Sequence, residues 1–136
     1  MSPLPTPVQR VTVLLVDDEA SVRELIIELL EADGYEVLSA ANPVQAIEAA
    51  ERHHGVIHLL LTDLLMPGMS GRDLAQRVKE RRPDICILYM SGFTEEALAP
   101  GQDLEAGALL ISKPFTADSF SRKIREALGT NPREQG

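Results

Sequence analysis

The chain has 136 residues, a length typical of a single domain, and 44% of them are apolar, which argues against a disordered protein. Its 13 basic and 21 acidic side chains give a net charge of −8, so it would repel a phosphate backbone and we expect no nucleic-acid binding. No apolar stretch approaches the roughly 20 residues of a membrane span, and the first residues lack the apolar segment of a signal peptide. The single cysteine, Cys86, lies in an apolar run, which favours a buried thiol. We therefore expect a cytoplasmic domain that does not bind membranes.

Short apolar runs alternate with amphipathic segments along the whole chain. The apolar runs predict buried strands over residues 11–16, 35–40, 56–62, 85–91 and 108–112. The segments that follow them predict helices over residues 21–34, 42–55, 70–83, 93–107 and 116–129. Asn42, Ser70 and Thr116 are suitable N-caps, and Gly34 suits the position after the first helix. The fourth helix is weak, because a proline and a glycine interrupt it.

Five strand–helix units with strands that are apolar on both faces predict an α/β domain, in which helices cover both faces of a five-stranded parallel sheet. We place the domain at residues 10–129. Three prolines in the first seven residues predict a flexible tail or linker over residues 1–9, and a second flexible tail is expected over 130–136. In sheets of this kind, ligands bind past the carboxyl ends of the strands.

Polar side chains collect where four of the predicted strands end. Asp17 and Asp18 follow the first strand, Asp63 follows the third, Ser91 ends the fourth and Lys113 follows the fifth. Carboxyl ends of parallel strands share one edge of the sheet, so we expect these side chains to lie close together. Taken singly, each has an ordinary explanation as a turn residue, a helix cap or a solvated charge. Their joint placement favours a functional site.

The chemistry of this set suits phosphoryl transfer. Neighbouring carboxylates repel one another, and a hard cation such as Mg²⁺ relieves that repulsion while leaving room for a phosphate oxygen. A carboxylate can attack phosphorus to form an aspartyl phosphate, and a lysine and a hydroxyl can bind the phosphoryl oxygens. No glycine-rich phosphate loop is present. His53 and His54 at the end of the second helix, and His58 inside the third strand, form no zinc motif, so we expect structural roles for them.

Four segments resemble the response-regulator receiver domains of two-component signalling: "LLVDDEA", "LLLTDLLMPGMSG", "ILYMSGFT" and "LLISKPFT". They occur in the order of that family, and the resemblance covers about residues 10–129. The pieces "MSGFT" and "SKPFT" resemble the receivers of hybrid sensor histidine kinases in particular, and a stand-alone single-domain response regulator fits equally well.

The resemblance implies a flavodoxin-like sheet of order 2-1-3-4-5 and a phosphoryl group taken from a histidine kinase or a histidine phosphotransfer protein. It implies that the face of the fourth helix, fifth strand and fifth helix is the output surface and a candidate dimer interface. It also implies a Lys113–Pro114 bond that is often cis. The implied roles are phosphoacceptor for Asp63, phosphoryl contacts for Ser91 and Lys113, and Mg²⁺ ligands for Asp18, Asp17, Asp63 and the carbonyl of Leu65.

The chain departs from the family at three positions. Leu110 stands three residues before the lysine, where the family has a switch aromatic; Tyr89 could replace that aromatic, although a plain core tyrosine is the favoured interpretation. Leu65 and Phe93 stand two residues beyond the phosphoacceptor and the serine. Because both are bulky and apolar, they would impede an attacking water, so we predict a long-lived phosphoryl group.

Two other classes of function compete with a phosphoacceptor. One is a protein-interaction module that keeps the receiver fold without being phosphorylated. The other is a carboxylate-dependent phosphohydrolase, which would need a second aspartate two residues beyond Asp63, where Leu65 stands. We therefore expect a signalling domain and not an enzyme.

Overall fold

The computed structural model describes residues 10–92 and 108–129. The predicted tails over 1–9 and 130–136, the weak fourth helix over 93–107 and Phe93 lie outside the described residues. Strands and helices alternate in the described part, apart from the step from β4 to β5, which spans the undescribed segment. The elements are β1 (Thr12–Val16), α1 (Ala20–Ala32), β2 (Glu36–Ala40), α2 (Pro43–Arg52), β3 (Leu59–Asp63), α3 (Gly71–Arg81), β4 (Cys86–Ser91), β5 (Leu109–Ser112) and α4 (Ala117–Leu128).

All five strands are parallel and follow the order β2-β1-β3-β4-β5, which confirms the predicted fold and topology. The three central strands, β1, β3 and β4, are buried along their whole length, as expected of strands that are covered on both faces. One core lies between the sheet and helices α2 and α3, and a second lies between the sheet and helices α1 and α4. This arrangement leaves the carboxyl ends of β1, β3 and β4 side by side.

Local hydrogen bonds stabilise the starts of three helices and the end of α1. The side chains of Asn42, Ser70 and Thr116 each accept a bond from a backbone N–H in the first turn of their helix, so all three N-caps are confirmed. After α1, Gly34 has a φ of +89°, and Tyr35 N–H donates to the carbonyl of Leu30. This geometry favours glycine at that position, as predicted.

The third strand is shorter at its start than predicted, and His58 lies just before it. The backbone N–H of His58 donates to Thr12 O at 2.9 Å, while the N–H of Thr12 donates to the His58 ring Nδ1 at 3.0 Å. The imidazole therefore takes the place of a backbone carbonyl in the ladder, and the regular strand begins only at Leu59. A structural role for His58 agrees with this contact.

The second helix ends at Arg52 and not at the predicted residue 55. The guanidinium of Arg82, from the end of α3, donates to the carbonyls of Ala50, His53 and Gly55 at 2.8–2.9 Å. These bonds satisfy carbonyls that a continuing helix would otherwise have to bond internally. None of the described helices has the length and apolar character needed to cross a membrane.

Candidate functional site

Asp63 is the last residue of β3, and the structure brings it together with the residues predicted to surround it. Asp63 is only 7% exposed, and its Oδ1 accepts a hydrogen bond from Lys113 Nζ at 2.8 Å. The strand places the carboxylate at the centre of the sheet edge, because β3 pairs with β1 on one side and with β4 on the other. A buried carboxylate is costly without such a partner.

Asp17 follows β1 and is fully buried. Its Oδ1 accepts a bond from the N–H of Glu19 at 2.9 Å, and its Oδ2 lies 3.3 Å from Lys113 Nζ. Asp18, the next residue, is exposed. One carboxylate oxygen from each of Asp17, Asp18 and Asp63 lies within 4.8 Å of the others, so the three aspartates form the cluster that the sequence predicts.

Lys113 reaches both buried carboxylates from the end of β5. Its backbone N–H donates to Ser91 O at 2.7 Å, which ties the end of β5 to the end of β4, and its peptide bond to Pro114 is cis. The resemblance predicts that cis bond. Burial lowers the pKa of Lys113, but the hydrogen bond to Asp63 and the charges of Asp63 and Asp17 outweigh burial and raise it overall. The lysine therefore stays charged between the two aspartates.

The hydroxyl of Ser91 is the one buried side-chain polar atom without a hydrogen-bond partner among residues 10–92 and 108–129. Ser91 is the last residue of β4 and is 4% exposed. An unpaired buried hydroxyl costs about 1–3 kcal/mol, so such groups are rare unless a ligand completes them. The hydroxyl is therefore available to bond to a ligand at this edge of the sheet.

Burial and charge determine the proton affinity of the central carboxylate. Burial is the largest influence on Asp63 and raises its pKa from 3.8 to about 7 against the opposing hydrogen bond from Lys113. The charge of Asp17 also raises the pKa and the charge of Lys113 lowers it, and the value of about 7 is the result of all these influences. The carboxylates of Asp17, Asp18 and Asp63 are hard oxygen donors of the kind that a divalent cation prefers, so the residues present fit a Mg²⁺ ion.

Sequence reasoning missed one residue that shapes the site, Gly71. A Cβ atom on this residue would lie 2.0 Å from Asp63 O and 3.1 Å from the Cα of Leu64, and the N–H of Gly71 donates to Leu64 O at 2.8 Å. The first residue of α3 thus packs directly on the backbone of Asp63, an approach that only glycine permits. The sequence did carry a signal. Glycine has a low helix propensity, so a glycine at the first position of a predicted helix indicates close packing there.

Three residues that concern the departures from the family pattern, Leu65, Tyr89 and Leu110, lie in the described part of the chain. Leu65 is 64% exposed, whereas its neighbour Leu64 is buried in the core. Tyr89 is fully buried and lies directly opposite Leu110 in the register of β4 and β5, so its placement agrees with a core tyrosine. The position of Leu110 is half-buried against the same core cluster.

The family model of the response regulator receiver domain matches residues 13–125. The chain is a response regulator receiver domain. It is 35% identical to the response regulator receiver protein CpdR of Brucella abortus, over 85% of this chain and 95% of that protein. It is also 34% identical to the sensor kinase CckA of the same organism, over 86% of this chain but only 12% of that longer protein.

The fold of this receiver domain is shared by a solved relative. The crystal structure of a CheY-like response regulator receiver domain protein from Methanospirillum hungatei superimposes with a TM-score of 0.79 at 28% identity, covering 92% of this chain and 98% of that one. A receiver domain of two-component signalling is what the motifs predicted, and an acidic cluster that could hold a metal lies at the expected edge of its sheet.

We predict that Gly71→Ala lowers the free energy of unfolding by about 1–3 kcal/mol, because the new methyl group forces α3 away from the backbone of Asp63. Denaturant unfolding would measure this loss. Gly129→Ala is the matched control, since a Cβ there meets its nearest atoms at 3.5 Å, an ordinary contact, and the residue has a φ of −76°. Equal stability of the two variants would contradict the assigned role of Gly71.

A second prediction concerns pH in metal-free buffer with a chelator. The folded-state pKa of Asp63, about 7, lies above its ordinary 3.8, so folding favours the protonated form. This contribution to stability is full below pH 4 and is lost as the pH rises through 7. Asp63→Asn cannot lose a proton here, so we expect the variant to become more stable than the wild type towards pH 8. One pKa unit corresponds to about 1.4 kcal/mol, so the gain is at most about 4 kcal/mol.

The test is the difference in free energy of unfolding between Asp63→Asn and the wild type, measured from pH 4 to pH 8. Taking the difference cancels the titration of those shared groups that do not interact with Asp63. A difference that does not change with pH would contradict the raised pKa.

Proposed function

We propose that this receiver domain accepts a phosphoryl group on Asp63 from a phosphohistidine. The observation that carries the proposal is the buried carboxylate of Asp63, which bonds to Lys113 at 2.8 Å within a cluster of three aspartates. A carboxylate oxygen of Asp63 attacks phosphorus, the P–N bond to the donor imidazole breaks, and its electron pair returns to the imidazole nitrogen. The product is an aspartyl phosphate and a histidine free of phosphate.

Asp17, Asp18, Asp63 and the backbone carbonyl of Leu65 would hold the Mg²⁺ ion of this site. When bound, Mg²⁺ supplies positive charge that offsets the carboxylates and the incoming phosphoryl oxygens. The buried Asp63 must be ionised to act as a nucleophile, and the charge of Lys113 favours that form. The same lysine, which pairs with Asp63, would neutralise a phosphoryl oxygen after transfer.

Ser91 completes the proposed site. Its hydroxyl is buried at the end of β4 with no partner in the described part of the chain, and its carbonyl accepts the N–H of Lys113. A phosphoryl oxygen would satisfy the hydroxyl and would connect the two strand ends through one group. Phosphorylation would then add charge at the point where β4 and β5 join, which is how such a modification biases a surface.

The proposed partner is a histidine kinase or a histidine phosphotransfer protein. Of the two relatives, one is a receiver protein that the chain matches over 95% of its length and the other is a much longer sensor kinase. Both interpretations of the sequence, a stand-alone regulator and the receiver of a hybrid kinase, therefore have a relative. A cytoplasmic location, a dimer through the face that includes residues 93–107, and the domain limits 10–129 stay predictions.

The alternative within the same fold is an interaction module that is not phosphorylated. The unpaired Ser91 hydroxyl and the clustered aspartates favour the phosphoacceptor, because an interaction module has no need of them. A phosphohydrolase is less well supported, since exposed Leu65 stands where a second aspartate would be required. We propose that the domain catalyses no multiple-turnover reaction.

We predict that acetyl phosphate labels the wild-type chain only when Mg²⁺ is present, and that Asp63→Asn abolishes the labelling, because the nucleophilic oxygen is lost. Phosphate-sensitive gel shift or intact-mass analysis would measure the incorporated phosphoryl group. Asp73→Asn is the matched control, since that aspartate is exposed in the first turn of α3 and should leave labelling unchanged. Labelling that survives in Asp63→Asn would refute the assignment.

We also predict that the phosphoryl group on Asp63 persists for minutes or longer, because the exposed side chain of Leu65 is a bulky apolar neighbour that impedes an attacking water. Leu65→Ala should shorten the lifetime several-fold, as followed by loss of the labelled mass after the donor is removed. Leu25→Ala on α1 is the control, because Leu25 is also exposed, at 53%, and lies outside the proposed phosphoryl site. Release within seconds in the wild type would contradict this prediction.

A further inference from the structure

Arg23 is the fourth residue of α1, and its guanidinium reaches back to the loop that carries two of the aspartates. Its Nη1 donates to the backbone carbonyl of Asp17 at 2.7 Å, and the residue is half-buried. Its own N–H makes the ordinary helical bond to Glu19 O at 2.9 Å. The side chain therefore links the body of α1 to the loop between β1 and α1.

With this bond, the N–H, the carbonyl and both carboxylate oxygens of Asp17 all have hydrogen-bond partners. The N–H of Asp17 donates to Ala40 O at 3.2 Å, and its carboxylate is bound by Glu19 N–H and Lys113 Nζ. Only the carbonyl remains, and Arg23 binds it. That carbonyl belongs to the peptide that joins Asp17 to Asp18. The guanidinium therefore holds the plane of this peptide and so orients the backbone of Asp18.

The choice of acceptor matters for a cation site. Among the described residues, no carboxylate lies within 4.0 Å of the guanidinium nitrogens of Arg23, which bind a carbonyl instead. Arginine keeps its charge at all relevant pH values and donates in a fixed planar geometry. Arg23 thus orders the acidic loop without occupying a carboxylate oxygen that a metal ion would use.

We propose that Arg23 is a positioning residue that fixes the Asp17–Asp18 peptide for binding of the divalent cation and so sets the Mg²⁺ affinity. The proposal rests on the proposed function, since it assumes that the aspartate cluster binds Mg²⁺. It gives Arg23 no contact with the ion or with the phosphoryl group.

The sign of one measurement separates positioning from simple electrostatics. Removing a positive charge near an anionic site raises the attraction for a cation, so a purely electrostatic role predicts tighter Mg²⁺ binding without Arg23. Loss of a group that orders the ligands predicts weaker binding, because the ligands must then be ordered when the ion binds. Partners of metal ligands typically contribute about tenfold or more to affinity.

The experiment is a Mg²⁺ titration of the full chain by amide NMR shifts of Asp17, Asp18 and Asp63, in the wild type and in Arg23→Met. We expect the dissociation constant of the variant to rise about tenfold, with shifted Asp18 and Glu19 amides in the metal-free state. Arg77→Met is the matched control, since Arg77 is an exposed arginine of α3, and it should keep the wild-type affinity.

The dissociation constants separate a failure of the positioning role from a failure of the proposed function. An unchanged or tighter dissociation constant in Arg23→Met overturns the positioning role and leaves the proposed function intact, provided that the wild type binds Mg²⁺. A wild type that does not bind Mg²⁺ overturns both proposals. If Arg23→Met fails to fold, Arg23→Gln is titrated in the same way, and the same change in its dissociation constant supports or overturns the role.

Discussion

The contact between Lys113 and the two buried carboxylates of Asp63 and Asp17 is the interaction on which the rest of the site depends. Two negative charges at the centre of a sheet edge destabilise a fold unless they are compensated. One ammonium group, 2.8 Å from Asp63 and 3.3 Å from Asp17, supplies part of that compensation. The pKa of Asp63 is nevertheless raised, chiefly by burial and in part by the charge of Asp17, so the lysine does not fully offset the cost of ionising this carboxylate.

The backbone around this contact is held from three directions. Gly71 brings the start of α3 against the carbonyl of Asp63, Arg23 holds the carbonyl of Asp17, and the N–H of Lys113 binds the carbonyl of Ser91. All three contacts act on main-chain atoms and leave the side-chain oxygens of the aspartates and the serine available. Under the proposed function, the groups that position the site are therefore separate from the groups that would bind the cation and the phosphoryl group.

The same edge of the sheet also shows how this receiver differs from its family pattern. The aromatic ring expected on β5 is absent, because Leu110 occupies that position, and a ring lies directly across the pair on β4 instead, at Tyr89. The ring is fully buried two residues before Ser91, in the core that faces α2 and α3. The aromatic ring at this pair of positions therefore belongs to the core and not to β5.

The sequence by itself predicted the described strands and helices, the parallel sheet and the polar residues that meet at its edge, because strand hydrophobicity, helix caps and the polar residues after each strand are local signals. The order of the strands came from family resemblance, since alternating strands and helices are compatible with several orders. Only the tertiary structure decided which groups touch: the His58 ring on the N–H of Thr12, Arg82 at the end of α2, Gly71 against Asp63, and Arg23 on the Asp17 carbonyl. These contacts join residues on separate elements or depend on the packing of one backbone segment against another. Their geometry depends on how elements pack, which no local pattern of residues encodes.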